Sequence, residues 1–148
     1  MRGEPLFDMM VERMATHAEQ PTPHSSGKAT AALILGWLIP GAGHILLGKW
    51  IRGLLLFVSI VTMFWIGIAL QGKVYTPNMG DLLDMLGFVG NLGAGGLYLL
   101  ARMMGWGAAP VVTALADYGG KFIVVAGLLN VIAAVDAHSL ANGRKAAA

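Results

Sequence analysis

Long apolar runs separated by short polar breaks organise this chain. Residues 29–47 contain no Lys, Arg, Asp or Glu, and neither do residues 53–70. As helices these two runs each extend about 27–29 Å at 1.5 Å per residue, close to the hydrocarbon thickness of a bilayer. Only GKWIR separates them, so the pattern predicts a helical hairpin over 29–47 and 53–71. A third run is predicted over 82–104, bounded inside by Asp84 and Arg102. The fourth is predicted over 120–141: the apolar stretch from Phe122 to Val135 is short, and it is completed by a snorkelling Lys121 and an interfacial Asp136.

The breaks refine this scheme. Pro40 removes a helical hydrogen bond, and Gly41 and Gly43 permit a tight turn, so the first helix should kink or break at Pro40-Gly41. Lys49, Trp50 and Arg52 then suit an interfacial anchor. QGKVYTPNMGD at 71–81 reads as a polar loop, and GWGAAPVVTALADYGG as an interfacial turn anchored by Trp106 and Tyr118. Before the first run, Leu6, Phe7, Met10, Val11 and Met14 share one face of a short amphipathic helix whose N-terminal half carries Glu4, Asp8 and Glu12. Its acidic face favours docking on protein over lying on a membrane surface. PTPHSSGK follows as a linker. The expected molecule is an all-α, polytopic integral membrane protein with about four transmembrane helices. It divides into an N-terminal helix and linker (1–28) and a membrane domain (29–148), with both termini on one side.

Composition supports the membrane class. The chain of 148 residues is 56% hydrophobic and 12% charged, where a soluble domain carries about a quarter charged residues. Its net charge of +2 comes from scattered groups, so no nucleic-acid surface is implied. The acidic residues of the first twenty positions do not suit a signal peptide. With no cysteine, disulfides, thiolate metal sites and cysteine nucleophiles are excluded. With four crossings, Arg13, Lys28, Lys73, Arg144 and Lys145 fall on the side of the termini, against Lys49, Arg52, Arg102 and Lys121 opposite. That slight excess favours cytoplasmic termini in the inner membrane of a bacterium.

Few residues suggest chemistry. G-x-S-x-G, HExxH, P-loop and dinucleotide fingerprints are missing, and the four histidines lack metal-ligand spacing. No catalytic residue, metal or required cofactor is predicted. His44 is the singular side chain: the small residues Gly41 and Gly43 beside it would leave clearance for axial ligation of haem or chlorophyll, while the plainer reading bonds it to a carbonyl freed by the Pro-Gly break. Gly87, Gly90, Gly93 and Ala94 form a small-residue face that lets helices approach closely, within the bundle or toward another subunit. Asn91 and Asn130 fall near the midpoints of the third and fourth runs, which predicts an amide contact between them worth about 1 kcal/mol. Asp136 reads as an interfacial acid with a Lys or Arg partner.

KATAALILGWLIPGAGHILLGKWIRGLLLF resembles the hairpin of the two-transmembrane-domain family, with Gly41, Gly43, His44, Gly48, Lys49 and Gly53 at its motif positions. The whole chain is more similar to a bacterial family of small integral membrane proteins of unknown function, which pairs LIPGAGH with a C-terminal A-G-L-L-N…D helix, here Ala126, Asn130 and Asp136. That resemblance implies fold and location, not activity. The function expected is a non-catalytic accessory subunit, surrounded by lipid and packed against other integral subunits of a larger complex of respiratory or photosynthetic type. The alternative is a free-standing homo-oligomer of envelope or lipid organisation. A pigment- or haem-binding subunit and a transporter rank below these.

Overall fold

The computed structural model describes residue 9 and residues 26–143. The predicted amphipathic helix and the first part of the linker therefore lie outside the described residues. Within them the secondary structure is entirely helical. Six helices follow in chain order: α1 (Ser26–Leu38), α2 (Ala42–Leu46), α3 (Trp50–Ala69), α4 (Leu82–Leu92), α5 (Gly96–Met104) and α6 (Ala114–Ala141).

Helix α6 is the axis of the molecule, and α1, α2, α3 and α4 all pack on it. Its 28 residues extend about 42 Å. It starts earlier than the apolar run suggested, because the Thr113 hydroxyl caps it by accepting from the Ala116 N–H at 3.1 Å. That cap converts part of the expected interfacial turn into helix. Helix α3 runs antiparallel to α6. A β-carbon at Gly67 would lie 2.8 Å from the Gly119 carbonyl oxygen, and one at Gly119 would lie 2.7 Å from that of Gly67. Only paired glycines let the two backbones meet there.

The run 29–47 is not one continuous helix. α1 ends at Leu38, and α2 resumes at Ala42 after Gly41, whose φ of 77° lies in the left-handed region. The chain then doubles back, so that Gly43 packs on the Ala32 carbonyl and the Ala137 side chain. In one straight helix residues 32 and 43 would be about 16 Å apart. Both ends of this first hairpin thus lie toward the C-terminal end of α6, and its tip reaches the level of Asn130, where the Trp37 carbonyl is bonded.

The run 82–104 is likewise two helices, α4 and α5, with their axes bent by 115°. Asp81 caps α4 by accepting from the Leu83 N–H at 2.8 Å, and Gly95 at φ 58° turns the chain into α5. α4 descends beside α6 from Lys121 to Gly127. α5 returns to the end where α4 began: Val74 N–H donates to the Gly107 carbonyl at 2.9 Å, and Trp106 meets Trp65 edge-to-face at 5.3 Å.

Where the pattern predicts four crossing helices, two are long and apolar enough to cross a membrane, α3 and α6, or three if the bent pair counts as one. Between the helices lies a core of Ile60, Phe64, Tyr98, Ile123 and buried alanines. Large apolar side chains such as Ile51, Leu83 and Met103 are exposed.

Candidate functional site

The tips of the two hairpins meet at Asn130. Its side chain is completely buried, and its Nδ2 donates to the Trp37 carbonyl at 2.7 Å and to the Gly93 carbonyl at 3.0 Å. Trp37 Nε1 donates to the Leu92 carbonyl at 3.2 Å. These carbonyls belong to the last turns of α1 and α4, where a helix leaves acceptors without partners of its own. In hydrocarbon such groups need donors from elsewhere, and one amide and one indole supply them. Gly95 and Gly96 allow the tips to touch: a β-carbon at either would collide with the Trp37 or Leu38 carbonyl.

Of the residues predicted to form a small-residue face, Gly90 and Gly93 do face α6. A β-carbon on Gly90 would lie 2.7 Å from the Val124 side chain, and one on Gly93 would lie 2.7 Å from the Gly127 carbonyl oxygen. Gly87 instead sits under the Tyr75 ring, and Ala94 lies in the core. Asn91 and Asn130 do not bond each other. Asn130 serves the two tips, while both amide atoms of the fully buried Asn91 lack a partner among the described residues. Gly67, Gly119 and Gly127 pack as closely as any of the predicted glycines, yet none stood out in the sequence as part of a packing face. Trp37 was missed too, since its role depends on two carbonyls remote in sequence.

His44 is buried at the first hairpin. It is 1% exposed, its Nε2 lies 3.1 Å from Asp136 Oδ2, and the neighbouring Gly43 is packed against Ala32 and Ala137. Its Nδ1 is also buried and has no partner among the described residues. Among the described residues Asp136, not a backbone carbonyl, is the partner of His44. Asp136 remains partly exposed, in a shallow cleft with Val135 and Ser139.

The predicted anchors lie at opposite ends of the molecule. Lys49 is the N-cap position of α3, followed by an exposed Trp50 and Arg52, all lining one open cleft of about 720 Å³. Trp106 lies at the far end, beside Trp65. There Lys73 bonds Asp84 at 2.9 and 3.0 Å and lies 4.9 Å from the Tyr75 ring centre, and Lys121 bonds Asp117 at 2.7 Å. Among the described residues no group of three metal-binding side chains occurs.

No curated protein and no solved structure matches the chain. A family model does match it over residues 31–146, from the first hairpin to the end of α6, and the chain belongs to that family, the Family of unknown function (DUF6677).

Proposed function

We propose that this protein is a non-catalytic membrane-embedded structural subunit, built from two crossing helices and two re-entrant hairpins that enter from opposite faces. The observation that carries this reading is the tie at Asn130. A polar side chain at mid-depth would be a functional group in a transporter, but here its donors hold the two hairpin tips together. The exposed apolar side chains of α3, α4 and α5 suit contact with lipid or with other integral subunits of a larger complex. Extraction in mild detergent followed by native mass separation tests it. Co-migration with a larger membrane assembly is expected. A single small homo-oligomer would favour the alternative, a free-standing protein of envelope organisation.

This arrangement changes the charge count on which orientation rests. With both hairpins re-entrant, Lys28, Lys49 and Arg52, with Arg13, Arg144 and Lys145 by sequence, are assigned to the side of the C-terminal end of α6. Lys73, Arg102 and Lys121 fall opposite. Six against three favours that first side as cytoplasmic in a bacterial inner membrane.

A second reading has one observation in its favour. Half-helices that meet at the midplane build solute and ion sites in transporters, and Asn91 is a fully buried amide at this level with neither polar atom partnered among the described residues. Reconstituted vesicles that conduct ions or solutes, and lose this with Asn91→Leu, would support a pathway over a scaffold.

A further inference from the structure

The cleft at the head of α3 differs chemically from the charged cleft at the opposite end of the molecule. The one beside Tyr75 is lined by Asp84, Asp117 and Lys121, so its charges of both signs face each other. Among the described residues the cleft at α3 is lined by Lys49 and Arg52 with no acid, and otherwise by Trp50, Ile51, Leu55 and Leu56, with Gly48 at the turn. Its volume of about 720 Å³ falls in the range of small-molecule sites.

Three features fix what would fill it. The cations stand at the start of a 20-residue apolar helix, the depth at which headgroup phosphates lie. No acidic residue stands in the first turn of α3 and no side chain caps it, so the dipole there adds to the positive field. Below the cations the wall is aliphatic, with Ile51 79% and Leu55 63% exposed, which suits the upper carbons of an acyl chain and not a soluble anion. Trp50, 69% exposed, provides the amphipathic ring that prefers this depth.

We infer that this cleft binds an anionic phospholipid, its phosphate held by Lys49 and Arg52 and its acyl chain lying on Ile51, Leu55 and Leu56. The inference requires that α3 cross the bilayer, and it holds whether the protein acts alone or in an assembly. Arg52 is the more exposed cation, while Lys49 is half-buried and has a further interaction within the protein. Arg52 should therefore carry the larger part of the selectivity.

The test is native mass spectrometry of the delipidated full-length protein, titrated with equal amounts of phosphatidylglycerol and phosphatidylcholine of the same chain length. The wild type is expected to retain phosphatidylglycerol about thirtyfold over phosphatidylcholine, the factor two interfacial cations supply together. Lys49→Gln with Arg52→Gln should bring the ratio close to one. Lys49→Arg with Arg52→Lys should restore it, and Lys121→Gln at the opposite end should leave it unchanged. If the double glutamine variant does not fold, Arg52→Gln alone should lower the ratio by more than the roughly fivefold of an equal share. Equal retention of the two lipids by the wild type would overturn the assignment, as would a glutamine variant that keeps its preference or a Lys121→Gln variant that loses it equally. Displacement of the bound lipid by inorganic phosphate would reassign the site to a soluble anion. Failure of the complex to co-migrate in the earlier extraction would leave this result untouched, so the two readings fail separately.

Discussion

Asn130 bonds one carbonyl at each of two helix ends. Its replacement by alanine removes both bonds at once and leaves the Trp37 and Gly93 acceptors buried. Polar contacts between membrane helices are worth roughly 0.6–2 kcal/mol, so Asn130→Ala should still insert but lose about 1–2 kcal/mol, read as a lower melting temperature in detergent. Gly127 works beside it by steric means. A β-carbon there would collide with the Gly90 carbonyl, and Gly127→Ala should cost about 1–3 kcal/mol, as overpacking does in other tight cores. Both positions lie inside the A-G-L-L-N segment that stood out in the sequence. What could not be read there was the partner: Asn130 looked toward Asn91 by depth alone, whereas its acceptors are backbone atoms in two separate turns. The same blindness affected His44, whose carboxylate partner lies 92 positions away.

At the level of elements, legibility followed how local each cause is. α3 and the body of α6 were visible as uncharged runs, because hydrocarbon selects every position in them. The breaks were half visible. Pro40 and Gly41 announced an interruption, but not that α2 would fold back on α1, which depends on Gly43 finding room between Ala32 and Ala137. In the run 82–104 the glycines looked like one smooth packing face, and the bend at Gly95 was missed, since a glycine that turns and a glycine that packs are the same letter. The two uses separate by mutation. Gly95 has positive φ and its β-carbon would meet the Trp37 carbonyl, whereas Gly105 has φ 71° but open space around it. Gly105→Ala should cost only the backbone strain of about 1–2 kcal/mol. Gly95→Ala should cost distinctly more, and thermal melts of the two variants side by side check the order.

For the whole molecule the decisive quantity is which loops share a side. In a four-crossing arrangement position 50 would face away from position 142, and position 79 would face the same way as 142. With two re-entrant hairpins the assignment inverts: 50 and 142 fall together and 79 opposite. Because the chain has no cysteine, a single introduced thiol reports one site without background. Trp50→Cys, Met79→Cys and Asn142→Cys, probed in sealed vesicles with a membrane-impermeant maleimide, should label in the pattern 50 with 142. Labelling of 79 with 142 would make the run 82–104 a crossing and end the re-entrant reading of that second hairpin.

Helix α6 carries a temporal consequence. It is the element on which α1, α2, α3 and α4 rest, yet it follows all of them in the order of synthesis. Until residue 130 emerges from the ribosome, the carbonyls of Trp37 and Gly93 have no amide to receive them. The earlier hairpins must therefore wait, near the surface or in the shelter of the insertion machinery. A nascent chain halted at residue 113 should be a quality-control substrate, and release of the last 35 residues should act as the signal that sets every earlier segment in place.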